Sequence, residues 1–270
     1  SAASDVYKRQ AIGAQTVFKN EEVEVSLLKE KTWVFSTWDY TTMYLIEGED
    51  KAVLIDTGTR CADLDKIVGQ ITGKPLEVIV THMHPDHAGC IKYFDKVWMH
   101  RADTVLVPQH AADYQGEFLY MEEGQVFDLG GRKLEVAWMP GHTPGSVVLL
   151  DKANGDCYSG DAFGSGEVWL QCVPMSPIAT FHESCCRMEK LMKEGHIKDI
   201  WCGHYPYLKS SLPLAYIQTM IRISHRLMNG DQEGSEPYSN YFIKMPPTAR
   251  KLAEGRAMIV YDSTNIPEAR

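Results

Sequence analysis

Three histidines and an aspartate fall within six positions, His82, His84, Asp86 and His87, directly after the apolar run LEVIV at 76–80. The run is short, apolar and bounded by turn signals, which predicts a buried strand. His82 and His84 stand at alternate positions beyond it, so an extended backbone turns both to one side before Pro85 bends the path away. Neutral imidazole and carboxylate are the donors that suit zinc or another borderline divalent ion. Such a cluster has to sit where a rigid strand delivers it to an open rim.

Other segments repeat that design. The runs EVEVSLL (22–28), TWVFS (32–36), TTMYLIEG (41–48) and KAVLIDTG (51–58) predict strands, the last two joined by a hairpin turn at EGEDK. Residues 61–69 have apolar positions at helical spacing, and 96–100 predict a strand followed by a helical turn over 102–107. Two further strands, KLEVAWMP and GSVVLLDKA, are separated by GHTP; GDCYSGDAF adds a strand ending in an acid, 177–195 predict a helix, and IKDIWCGH predicts a core strand. VLIDTG and CYSGDA are each a strand ending in an aspartate beside glycine, while LEVIVTH and IKDIWCGH are each a strand ending in a histidine. This weak internal parallel predicts that strand ends from two halves meet on one edge of a sheet sandwich.

The body of the fold is expected over 11–210. Residues 1–10 are polar and aperiodic and read as a scar of expression or sequence assembly. Residues 211–270, with the helical pattern PLAYIQTMIRISHRLMNG and the strand RAMIVYD, are expected to form a C-terminal helix and strand extension. A formal charge of −9 without a dense Lys/Arg run argues against nucleic acid as partner, because binding a phosphate backbone takes many cationic contacts. No apolar stretch approaches the roughly 20 residues of a membrane span, and no charged-then-apolar leader opens the chain. The expectation is a soluble, cytoplasmic protein acting on a small molecule. The seven cysteines have no repeated or CxxC spacing and read as reduced thiols.

Three more donors lie in glycine-flanked turns where the backbone can approach an ion closely: His142 in PGHTPGS, Asp161 in SGDAF and His204 in CGHYP. Taken in order with HMHPDH and LIDTG at 54–58, they make the sequence resemble the metallo-β-lactamase superfamily over about residues 23–204. The resemblance implies an α/β fold, an αββα sandwich with the site at one rim. It implies that His82, His84 and His142 hold one divalent ion, that Asp86, His87 and His204 hold a second, and that Asp161 bridges them. Zinc is the first expectation, with iron or manganese as alternatives.

Two such ions lower the pKa of a shared water and polarise a C=O or P=O bond, so the implied protein is a hydrolase using metal-bound hydroxide. Asp86 is the implied group that orients the nucleophile. Asp56 is expected to orient a ligand imidazole from behind. Tyr40, Tyr205 and Tyr207 are candidates to face substrate, Tyr205 and Tyr207 through hydroxyl donors, and Trp169 is a candidate pocket wall. His100, His110, His182, His196 and His225 lack ligand spacing. Aspartate at 161 departs from the cysteine of class B1 β-lactamases, and His84 departs from the glutamate of flavodiiron proteins. The expected substrate is a small ester, thioester or lactone; a phosphodiester, or a non-catalytic metal-stabilised binding protein, is the rival reading.

Overall fold

The computed structural model describes residues 15–240 and 244–267. The segment read as a scar lies outside the described residues. The first sheet has eight strands in sequence order: β1 (Thr16–Lys19), β2 (Val23–Lys29), β3 (Thr32–Thr37), β4 (Thr42–Glu47), β5 (Ala52–Ile55), β6 (Leu76–Ile79), β7 (Lys96–His100) and β8 (Glu117–Met121). Pairing is antiparallel through β5 and parallel from β5 to β8. Parallel neighbours need a crossover, and α1 (Leu64–Ile71), α2 (Pro85–Ala88) and α3 (Val107–His110) lie in the three connections.

The second sheet runs β14 (Asp199–Cys202), β12 (Asp156–Gly160), β11 (Val147–Asp151), β10 (Lys133–Trp138), β9 (Val126–Asp128). Its β12 and β14 are parallel, joined through α4 (Ile178–Lys193).

Period-two alternation decides what each sheet buries. Tyr44, Ile46, Val53 and Ile55 face Val147, Leu149, Tyr158 and Trp201 in an inter-sheet core. Their neighbours Met43, Leu45, Ala52 and Leu54 pack outward with Leu64, Ile67 and Val68 of α1. On the second sheet Val148, Leu150 and Cys157 turn instead to α4 and to α6 (Leu214–Met228). The layers are therefore helix, sheet, sheet, helix, the expected αββα sandwich. Short α5 (Tyr205–Leu208) follows β14.

A third sheet orders β13 (Glu167–Trp169), β17 (Ala257–Asp262), β16 (Ala249–Glu254) and β15 (Glu236–Pro237). β13 pairs in parallel with β17, and Leu252, Ala257, Ile259 and Tyr261 join the core around α4 and α6. The two main sheets are stitched at one rim by backbone bonds, Thr42 N–H to Gly203 C=O at 2.7 Å and Val147 N–H to Thr81 C=O at 3.0 Å.

Candidate metal centre

The stitched rim is where the chelating residues gather. Asp56 follows β5, His82 and His84 follow β6, Asp161 follows β12 and His204 follows β14, so the ends of two parallel pairs deliver them. His142 comes from the β10–β11 turn, and Asp86 and His87 from α2, which Pro85 opens at its first position. Gly203 N–H donates to Gly160 C=O at 2.8 Å, closing β14 onto β12. A Cβ on Gly203 would stand 2.5 Å from both Asp161 Oδ1 and His87 Cε1, so the approach of these two side chains needs glycine there. Gly160, at φ +48°, likewise has no room for a side chain against Thr81.

Two groups of donors converge: His82, His84 and His142, and Asp86, His87, Asp161 and His204, each group's ligand atoms lying within 4.8 Å of one another. His204 Nε2 is 3.2 Å from Asp161 Oδ2 and 3.4 Å from Asp86 Oδ2. His87 Nε2 is 3.5 Å from Asp86 Oδ2 and 3.6 Å from Asp161 Oδ1. Ligands about 2.1 Å from a tetrahedral ion are separated by about 3.4 Å, so these spacings suit a small divalent cation. Asp161 Oδ2 also lies 4.0 Å from His142 Nε2, which places this carboxylate between the groups.

The remaining imidazole nitrogens fix the tautomers. His87 Nδ1 donates to Asp56 Oδ2 at 2.8 Å, His142 Nδ1 to the Trp169 carbonyl at 2.7 Å and His204 Nδ1 to the Tyr40 carbonyl at 3.3 Å. His82 Nδ1 lies 3.2 Å from Thr81 Oγ1, which donates onward to Asp56 Oδ2 at 2.9 Å. Four imidazoles therefore use Nδ1 for an outer partner and turn Nε2 inward, the orientation that metal ligation requires. His84 turns its Nδ1 inward, 3.0 Å from His142 Nε2. Among the described residues, His82 Nε2, His87 Nε2 and Asp161 Oδ1 are buried with no hydrogen-bond partner. Such atoms are costly to bury unless something accepts their lone pairs, and a cation does. The donor set fits a pair of divalent ions.

Burial, reinforced by neighbouring imidazoles, holds His82 and His84 below the ordinary histidine range, His84 at about 3. Burial also lowers His142, despite the Asp161 carboxylate. Burial works equally against charging His87 and His204, but carboxylates outweigh it, Asp86 first for His87 and Asp161 first for His204, which is held up at about 10. The reciprocal imidazoles hold Asp86 and Asp161 well below the carboxylate range although burial opposes this.

The expected residues behind and around the site separate. Asp56, at φ +64°, accepts from Thr81 N–H at 2.7 Å as well as from Thr81 Oγ1 and from the His87 imidazole. Tyr40 contributes its carbonyl, while its ring stacks on Tyr207 with centroids 5.0 Å apart. Both rings are exposed, and Tyr207 lies 6.0 Å from the His204 ring. Tyr205 corrects an expectation: it is buried in the inter-sheet core beside Trp201, not poised as a hydroxyl donor at the mouth. The first position of α5 turns it inward, whereas Tyr207 two residues on turns outward. Trp169 serves through its carbonyl on His142.

One residue had no signal in the sequence. Asp103, fully buried, accepts from Met83 N–H at 2.9 Å, Gly145 N–H at 2.6 Å and Thr143 Oγ1 at 3.0 Å, tying the loop of His82 and His84 to that of His142. It lies in a 3₁₀ stretch, Arg101–Leu106, among ordinary surface residues.

With fold and site in view, the class of protein follows. Residues 36–182 match the family model described as the Metallo-beta-lactamase superfamily, and the chain belongs to that family. The acyl-coenzyme A thioesterase MBLAC2 of Homo sapiens is 25% identical over 210 residues, 63% of this chain and 75% of that protein. A hydroxyacylglutathione hydrolase of Francisella philomiragia is 24% identical over 191 residues, covering 69% and 73%. Among solved structures, a metallo-beta-lactamase from Pontibacter korlensis shares the fold with a TM-score of 0.61 at 17% identity, covering 76% of this chain and 99% of that one. TTHA1623 in a di-iron-bound form superposes with a TM-score of 0.53 at 27% identity, covering 65% and 90%. This chain is accordingly an enzyme, a hydrolase of the superfamily with a candidate metal site.

Proposed function

We propose that the chain is a dinuclear metal-dependent hydrolase of small thioesters, esters or lactones. The observation that carries this reading is the pairing of two donor groups through Asp161, with buried lone pairs aimed into both. His82, His84 and His142 would hold one ion, Asp86, His87 and His204 the other, and Asp161 both. Zinc is the expected metal, and the di-iron form of TTHA1623 keeps iron beside it. When bound, the ions supply a water activated as nucleophile near neutral pH and an electrophilic contact for the carbonyl oxygen.

The chain's own residues orient that chemistry. Asp86 is partly exposed at the mouth, with Oδ2 turned to His87 and His204, and its other oxygen can accept a hydrogen bond from the attacking water. Asp56, Thr81 and the carbonyls of Trp169 and Tyr40 fix the imidazoles so that no reorientation is needed at the moment of reaction. Acyl substrates are favoured over phosphodiesters because the relatives named above are a thioesterase and a hydrolase of hydroxyacylglutathione.

The decisive experiment loads the protein separately with zinc, iron and manganese and assays a thioester, an ester, a lactone and bis(p-nitrophenyl) phosphate. Acyl hydrolysis is expected to dominate. His84→Ala should lower kcat/KM by at least about 100-fold, the upper end of what losing an outer partner of a ligand costs. Preferential phosphodiester cleavage, or an unaffected His84→Ala variant, overturns the reading.

A further inference from the structure

His110 closes α3 beside the metal centre and belongs to neither donor group. Its ring meets that of His84 edge-on, with centroids 5.8 Å apart and planes at 89°, and the Asp86 carboxylate is within electrostatic reach of it. Among the described residues its ring nitrogens make no hydrogen bond, and the side chain is only partly covered. Nor is it carried on a loose loop. Seven residues earlier Asp103 is bonded to Met83, Thr143 and Gly145, and buried Leu106 packs between the two positions. The contacts that set the ligand loops thus also set where His110 stands.

The two flanks of the mouth differ in chemistry. Beside His204 stand the stacked, exposed rings of Tyr40 and Tyr207, suited to an apolar group. Beside His84 stands an imidazole with a donor to spare. In acyl hydrolysis the carbonyl oxygen and the attacking water belong at the ions, and the remaining atom on which charge develops is the departing sulfur or oxygen.

We propose that His110 is a further catalytic residue, whose imidazole N–H donates a hydrogen bond to the departing heteroatom while the acyl portion lies along Tyr40 and Tyr207. This rests on the acyl-hydrolase reading above. Water gives its oxygen to the acyl carbon, the C–S or C–O bond breaks with its electron pair going to the heteroatom, and a proton of that water ends on it. His110 keeps its own proton and supplies the hydrogen bond.

The test is a leaving-group series on the metal-replete enzyme: p-nitrophenyl and phenyl esters, alkyl esters, and aryl and alkyl thioesters of one acyl group. For wild type, His110→Ala and His110→Gln, kcat, KM and bound metal per chain are measured. A good leaving group needs no donor, so His110→Ala should leave the p-nitrophenyl ester within about threefold while lowering kcat on alkyl substrates about 100-fold, the scale of one lost transition-state donor. Metal content should be unchanged, and His110→Gln, which keeps an N–H, should recover part of the loss. An equal loss on every substrate, no loss at all, or a loss that follows metal content overturns the assignment. Wild-type enzyme that cleaves no member of the series overturns the acyl-hydrolase reading itself, a separable outcome.

Discussion

Asp56 and Asp103 are both buried carboxylates behind the ligand loops, and they hold them by different means. Asp56 receives the His87 imidazole directly, whereas Asp103 receives only backbone and hydroxyl donors. Burial raises the Asp103 carboxyl to about 6 even against those three donors. Between an unfolded value near 4 and that folded value, the native state holds a proton that the unfolded chain has released. Its contribution to stability is therefore fully present below the unfolded pKa and is lost as pH rises through about 6. A shift of about two units corresponds to about 3 kcal/mol. In urea unfolding of metal-free protein, the stability deficit of Asp103→Asn relative to wild type should shrink as pH rises from 4 to 7, and a deficit that stays constant counts against this titration. The HMHPDH donor cluster and Asp56 could be picked out from their spacing and strand-end context. Asp103 could not, because a single acid in an amphipathic turn has the same local appearance whether it points to water or into the fold.

At the scale of elements, the strand runs of the first third, 76–80, 96–100 and 257–262 formed where their alternation or apolar density placed them. The elements that gave no signal share a dependence on distant partners. β8 and β9 are weakly buried strands at the ends of their sheets. β13 is three residues long and pairs with β17, contributed from the far end of the chain. β16 reads as charged in sequence and becomes a strand by pairing along its length with β17. The helix of the C-terminal segment was visible in its 3.6-residue pattern, but its partner was not. α6 buries Ile217, Met220 and Ile223 in the core with Phe181, Cys185 and Met188 of α4. Truncating Ile217 to alanine should cost about 2–5 kcal/mol through lost burial and the cavity left behind. Chemical denaturation checks this, and a loss well below 1 kcal/mol would mean that α6 is only loosely docked.

For the whole molecule, the two donor groups are held by contacts between halves that are otherwise separate layers. Without cations the rim concentrates buried unpaired nitrogens and oxygens from both sheets, so bound ions should act as a clasp. Ligand present at about 1,000 times its dissociation constant adds about 4 kcal/mol to stability. Stripping the protein with a chelator should therefore lower the thermal midpoint by several degrees, and returning zinc should restore it. An identical midpoint with and without metal would mean that the site forms independently of any ion. No helix of the described residues is long and apolar enough to cross a membrane.

The sequence by itself determined the family, the donor types available at the rim and the layering: donor identity is a matter of residue type, and strand-end placement is written in short-range periodicity. Only the tertiary structure decided which Tyr faces the mouth, which carboxylate ties the two ligand loops, and where His110 stands. Those facts follow from segments remote in sequence meeting at one rim. Glycines at 160 and 203 let the strand ends approach there, and hydrogen bonds from Thr42 to Gly203 and from Val147 to Thr81 fix the register of the two sheets. A local pattern encodes a side chain's donors and its strand, but its neighbours across the rim are set by how the layers dock.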